Sequence, residues 1–155
     1  MSAPTFVPDG FSVPETLIDA RFRLEPLGPQ HNAADHAAWT SSIEHIRATP
    51  GLEEWDWPPP EGMSAEENLR DLEGHAADFA ARRGFTYTVL SPDGAVIGCV
   101  YIYPAQDGEH DAQVRSWVSA TAAELDAPLH AAVSGWLVEH WPFERLAYAE
   151  RDQAR

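Results

Sequence analysis

Two acidic clusters hold the residues of this chain whose types and spacing could do chemistry. Glu53-Glu54-Trp55-Asp56-Trp57 sets two indoles among three carboxylates. An ammonium group is drawn both to an indole face and to a carboxylate, so Trp55, Asp56 and Trp57 form a candidate substrate-binding site for a cationic amine. The same indoles also read as caps on the core, with Pro58-Pro59-Pro60 stiffening the loop after them. In the second cluster, Glu109-His110-Asp111, the candidate proton acceptors are Glu109 and Asp111. A solvated loop carrying surface charge is the competing reading of that run. Cys99 lies within an apolar run and reads as a small, inert hydrophobe.

Other chemistries find no support in the motifs. The seven histidines are scattered, with no HExxH pair and no cysteine partner. His31 and Asp35 could share a helix face, but two ligands do not make a zinc site, so no metal is expected. Ser134-Gly135 lacks the flanks of a nucleophile elbow, and no GxxxxGK[ST] loop is present.

The formal charge of −15 comes with no lysine at all; all ten basic residues are arginine. Nucleic acid and anionic membrane surfaces both need a basic patch that displaces counterions, so neither is an expected partner of this acidic protein. The first residues, MSAPTFVPDGFSVPET, have neither a basic nor an apolar leader region, and no run is long enough to span a bilayer. A cytoplasmic protein is therefore expected. At 155 residues the chain reads as one domain, with residues 1–20 an irregular N-terminal segment and 21–155 the folded unit.

The elements that must position these residues begin with Arg21-Phe22-Arg23-Leu24-Glu25-Pro26-Leu27, an alternating half-buried strand. Gly28-Pro29 opens a helical region to about Thr49, with Ala34, Ala38, Trp39, Ile43 and Ile46 as its buried stripe. A second helix starts at Ser64, where Ser64 and Glu67 form a capping box, and ends before Gly84. Its apolar face is Leu69, Leu72, Ala76 and Phe79. Ser91-Pro92-Asp93-Gly94 then reads as a turn between two strands, and Val96 to Tyr103 is apolar on both alternating faces, hence covered on both sides. A strand at Val114–Val118 follows. Asp126 is a natural N-cap for a third helix with Leu129, Val133, Trp136, Leu137 and His140 on one side, and Leu146–Glu150 is a last strand. The order is β-α-α-β-β-β-α-β: an α/β (α+β) fold with a mixed, mostly antiparallel sheet and helices on both faces.

That order resembles the GNAT acetyltransferase superfamily. The matching pieces are the FRLEPL strand, the paired helices, the TVLSPDGAVIGCVYIYP hairpin, the VRSWV strand and the helix after it, together covering roughly Arg21 to Asp152. The resemblance implies an acyl-CoA-dependent N-acetyltransferase acting on a small amine or cationic substrate, with acetyl-CoA as acyl donor. It implies that backbone groups of Trp117, Val118 and Ser119 run beside the pantetheine arm. It further implies that the helix N-terminus at Ala127 faces the pyrophosphate, since unpaired N–H groups and the positive end of the helix dipole bind an anion. Glu109 or Asp111 inherits the place where the family often sets a carboxylate base, and the loop at Trp55, Asp56 and Trp57 falls near its acceptor site.

Two departures stand beside the resemblance. The loop Ser119 to Ala127 contains no glycine and no basic residue, and carries Glu124 and Asp126. Both carboxylates repel a pyrophosphate. The family also continues past the strand matching Leu146–Glu150 into a helix and two strands, with a proton-donating tyrosine on that helix, and the sequence stops at Arg155. A catalytically weak scaffold serving as a ligand-binding or interaction module is the alternative function. Trp136, Trp141 and Phe143 exceed what one helix face buries. Either a homodimer covers them, or Phe6, Phe11 and their neighbours fold back over them.

Overall fold

The computed structural model describes residues 5–151. Six strands form one sheet in chain order: β1 (Leu17–Ile18), β2 (Arg23–Pro26), β3 (Phe85–Leu90), β4 (Val96–Pro104), β5 (Ala112–Val118) and β6 (Leu146–Tyr148). Every neighbouring pair is antiparallel except β5 and β6, which are parallel. A parallel pair needs a crossover, and α4 (Asp126–His140) supplies it. The remaining helices, α1 (Asn32–Thr40), α2 (Ile43–Arg47) and α3 (Ala65–Ala80), lie between β2 and β3. The expected fold class, a mixed and mostly antiparallel sheet with helices on both faces, is what the chain adopts.

Strand periodicity divides the interior into two cores. Val100, Ile102, Val114 and Val118 face Leu129, Val133 and Leu137 of α4, while Cys99, Tyr101 and Trp117 face Leu27, Trp39, Ile46 and Leu72 on the other side. β4 is covered on both faces, as its unbroken apolar run requires. The Ser91–Gly94 turn closes as its residues dictate: Gly94 takes φ +91° and its N–H donates to the Ser91 carbonyl. Gly98 answers a different demand, because a Cβ there would sit 2.4 Å from the Trp117 carbonyl oxygen on β5. Gly98→Ala is expected to cost about 1–3 kcal/mol by forcing β4 and β5 apart, read as a lowered urea midpoint.

Several local expectations are corrected. The region Gly28–Thr49 is three pieces: a 3-10 turn at Pro29–His31, then α1 and α2, which part at Ser41 and Ser42. The break is used, since the Ser42 hydroxyl oxygen accepts the Ala120 N–H across the fold. On α1 Asp35 is buried beside Trp39 while Ala34 is exposed, and on α4 His140 is exposed. The capping box of Ser64 and Glu67 forms as read. Asp126 is not an N-cap: it is the first helical residue, and its carboxylate turns to Arg151.

The N-terminal segment covers the surplus of aromatics at the end of α4. Val7 is fully buried, Phe6 stacks on Phe143 at 5.0 Å, and Phe11 meets Trp141 at 5.5 Å. Arg82 donates to the carbonyls of Pro8 and Phe11, and the Tyr87 hydroxyl to that of Pro14. The apolar surface that argued for a homodimer is thus filled by the chain itself. No helix among the described residues is long and apolar enough to cross a membrane.

Candidate functional site

β5 and β6 part where the fold has most to offer a ligand. Their pairing runs from Ala112/Leu146 to Val114/Tyr148 and stops, while β5 continues to Val118. Two hydrogen bonds fix which way the backbone faces beyond that point. The Ser119 N–H donates to Ile97 on β4, whereas the Ser116 carbonyl accepts from Arg151 on the β6 side. Backbone groups alternate along a strand, so Ser116 and Val118 turn theirs into the gap, and Arg115 and Trp117 turn theirs to β4. Trp117, named from the sequence, is therefore replaced by Ser116 as the strand residue facing the gap. Its indole lies on the opposite core and donates to the Tyr101 hydroxyl at 2.9 Å.

Arg151 fills the gap. Its side chain is 3% exposed, and its Nε donates to Asp126 Oδ2 at 2.7 Å. The guanidinium also reaches the Ser116 carbonyl at 2.9 Å and the Ala149 carbonyl at 2.8 Å. Next to it, the Tyr148 hydroxyl and Ser116 Oγ lie 2.6 Å apart, and burial pushes the Tyr148 phenol well up. On the other side of the sheet the Gly51 loop closes against Ala149, which would lie 3.3 Å from a Cβ on Gly51. Sequence reading missed Arg151 because nothing local marks it: Asp126 and Ser116, which hold it in the gap, lie 25 and 35 positions upstream.

Beyond the gap, the loop from Ser119 to Leu125 is a 3-10 stretch that leads into α4. Ser119 is buried and its carbonyl accepts the Ala122 N–H; Ala127 lies in the first turn of α4. Val118 thus ends β5 beside the gap with Ser119 directly after it, and Ala127 lies one residue inside α4. Asp126 sits there too, its charge matched by Arg151 rather than open to a ligand.

Glu109 and Asp111 are not part of this site. They precede the first residue of β5, and Ser116 is five residues beyond Asp111, roughly 16 Å along a strand. Glu109 is exposed on a turn in which the Asp107 carboxylate accepts the N–H groups of Glu109 and His110, holding Asp107 far below the usual carboxylate range. The potential ligand atoms of Asp107, Glu109 and His110 lie within 4.8 Å of one another, but these bonds account for the cluster as a turn. Asp111 ties down the start of β6: its carboxylate accepts the N–H groups of Glu144 and Arg145, which keeps it below the usual range. A lowered carboxyl stabilises the fold above its unfolded value of 3.8 and loses that effect as pH falls through the folded value. Asp111→Ala is therefore expected to lower the melting temperature at pH 7, with the difference shrinking in acid below 3.8, in a series of thermal melts.

A second concavity lies under the Trp55–Trp57 loop. It encloses about 210 Å³, lined by Asp35 of α1, Trp55, Trp57, His75 of α3 and Tyr101 of β4 among others. Trp55 meets Tyr101 edge-on at 5.0 Å, and Trp57 lies 6.1 Å from Trp117. The indoles pack on the core, as the capping reading expects, and they also wall a cavity. Asp56 points elsewhere: it is exposed and paired with Arg47. Trp117 is the residue common to both places, with its backbone in the strand beside the gap and its indole beside the cavity. Burial holds the Cys99 thiol well up, in keeping with an inert hydrophobe.

The chain's sequence matches no known family model and no curated protein. Its fold does match solved structures. A ribosomal-protein-S5-alanine acetyltransferase from Vibrio fischeri superposes with a TM-score of 0.61 at 10% identity, over 80% of this chain and 67% of that one. RimL, a ribosomal L7/L12 alpha-N-protein acetyltransferase, gives 0.61 at 15% identity over 85% and 69%. The microcin C7 self-immunity acetyltransferase MccE, solved with acetyl-CoA and AMP, gives 0.57 at 10% identity over 78% and 63%. The acceptors named for the first two are ribosomal proteins, which overturns the expectation of a small-molecule amine as partner. A parallel β5/β6 pair that opens beyond Val114, headed by α4, together with these superpositions, identifies the chain's fold as that of the GNAT acetyltransferases.

Proposed function

We propose that this protein is an acyl-CoA-dependent N-acetyltransferase whose acceptor is an amino group carried by a polypeptide. The observation that carries the reading is the backbone of Ser116 and Val118, turned toward a gap that β6 leaves unpaired. An extended amide chain such as pantetheine can complete that strand edge as a β-strand would. Solved neighbours with acetyl-CoA or CoA bound support the choice of donor.

Acyl transfer of this kind needs no protein nucleophile. A free amine attacks the thioester carbonyl, the C–S bond breaks, the nitrogen gives up one proton to water as it becomes an amide, and the thiolate takes up one proton. Tyr148 is the proton donor of this proposal, since its hydroxyl lies in the gap beside Ser116 Oγ and burial keeps it protonated. Tyr148→Phe is then expected to lower kcat about 100-fold with KM little changed, in a thiol-release assay.

Binding itself is tested by melting the protein with and without millimolar acetyl-CoA, because a ligand that binds only the native state must raise the melting temperature. A second reading, a scaffold that acts as a ligand-binding or interaction module, draws on Arg151, which occupies the gap with a full set of partners. No thermal shift at saturating donor, with no acetylated peptide by mass spectrometry, favours that reading.

A further inference from the structure

The cavity under the Trp55–Trp57 loop contains a carboxylate with too few partners. Asp35 is 4% exposed, and among the described residues its only hydrogen bond comes from Asn68 Nδ2 to Oδ2, at 3.1 Å. Asn68 in turn is fixed by the Trp39 indole, whose Nε1 donates to Asn68 Oδ1 at 3.0 Å. Among the described residues no arginine pairs with Asp35, and burial pushes its carboxyl up against the opposing pull of the Asn68 hydrogen bond and of His31 and His36. Burying a carboxylate without a cation is costly, so the arrangement is suited to receive one.

His75, on the facing helix, also lines the cavity. The Tyr103 hydroxyl donates its single proton to Asp78 Oδ2 at 2.8 Å. His75 Nδ1 lies 2.9 Å from the Tyr103 hydroxyl oxygen, so the tautomer with its hydrogen on Nδ1 can donate there. Thr86 Oγ1, at 3.1 Å, is a second neighbour of Nδ1. In that tautomer the neutral ring has its lone pair on Nε2, which has no protein partner among the described residues. Burial lowers the His75 pKa against the opposing pull of Asp71 and Asp78, which favours the neutral form. The other titratable groups around it are Asp35, Tyr101 and Tyr103, and burial raises the pKa of each.

We infer that this cavity is a recognition site for a primary ammonium end group of a polypeptide. Asp35 supplies the charge, His75 Nε2 accepts an N–H, and the rings of Trp57 and Tyr101 wall the carbon stem. Trp55 closes the outside, with the Arg115 guanidinium stacked 5.0 Å from its ring. At about 210 Å³ the cavity is below the range that encloses whole ligands, so it takes the end of something larger. The end group is an α-ammonium or a lysine ε-ammonium, which share this chemistry. The inference extends the polypeptide-acceptor reading but does not need the acyl donor.

The test is calorimetric titration without acetyl-CoA, using three alanine-based peptides: free amino terminus, N-acetylated, and N-acetylated with one lysine. The account expects the N-acetylated peptide without lysine to be silent and at least one ammonium-bearing peptide to bind; which of the two binds names the source. Asp35→Asn, which keeps the Asn68 contact, and His75→Asn, which keeps a donor toward Tyr103, should each weaken that binding at least tenfold. In nitrogen-15 spectra of the wild type, the His75 Nε2 resonance should move with the binding peptide and stay still with the silent one. Equal binding of all three peptides, no binding of any, or wild-type affinity in both variants would overturn the inference.

Discussion

Deleting residues 1–15 is expected to lower the melting temperature by about 15 °C or more, if the remaining chain folds at all. The segment contributes Val7, fully buried, and Phe6, Phe11 and Val13, packed against the same core. Burying each such side chain is worth about 1.5–3 kcal/mol at full burial, and the sum is comparable with the whole stability of an ordinary domain. The deletion also strips the cover from Trp141, which is 6% exposed, and from Phe143. Circular-dichroism melts and urea titrations measure the effect. A truncated protein that melts within a few degrees of the full chain would show that these contacts are not part of the core.

The second large effect concerns the pair at the head of the gap. Asp126→Asn removes one negative charge and leaves the Arg151 guanidinium without its carboxylate; Arg151→Ala leaves the Asp126 carboxylate bare beside Glu124. Coenzyme A is a polyanion, so the first variant should bind acetyl-CoA about tenfold more tightly and the second about tenfold more weakly. Each tenfold step corresponds to about 1.4 kcal/mol, a modest demand for a charge within a few ångströms of a phosphate. Arg151→Ala should also cost about 3 kcal/mol of stability, because its partners at Ser116 and Ala149 lose their donor. Calorimetric titrations of the two variants decide the sign. If both bind more tightly, steric closure by Arg151 rather than charge governs the gap, and the electrostatic account fails.

Much of the fold was legible because local physics agreed with tertiary packing. The unbroken apolar run of β4, the turn at Gly94 and the capping box at Ser64 each settle their own element with residues close in sequence. The single long helix expected over Gly28–Thr49 failed for the opposite reason: Ser42 leaves helical geometry in favour of a partner 78 residues away. The site divided along the same line. Trp55 and Trp57 could be read from composition, and the strand and helix start at Val118, Ser119 and Ala127 from order and pattern. Asp35, His75 and Arg151 could not, since what distinguishes them is burial and the partners brought to them by other elements. Glu109 and Asp111 misled because charge in a loop before a strand looks the same whether it does chemistry or ties a turn. The Ser116 assignment needed the hydrogen-bond alternation of β5, which no sequence pattern encodes.

The central claim is that the donor lies along β5 in the gap left by β6. Amide chemical-shift mapping of isotope-labelled protein during an acetyl-CoA titration tests it most directly. The account predicts that the amides of Ser116, Val118, Ser119, Ala127 and Arg151 shift and saturate together, while those of Leu72 and His75 beside the cavity hold still. Spectra unchanged at millimolar acetyl-CoA, or shifts confined to the cavity with Ser116 and Val118 unmoved, would contradict it.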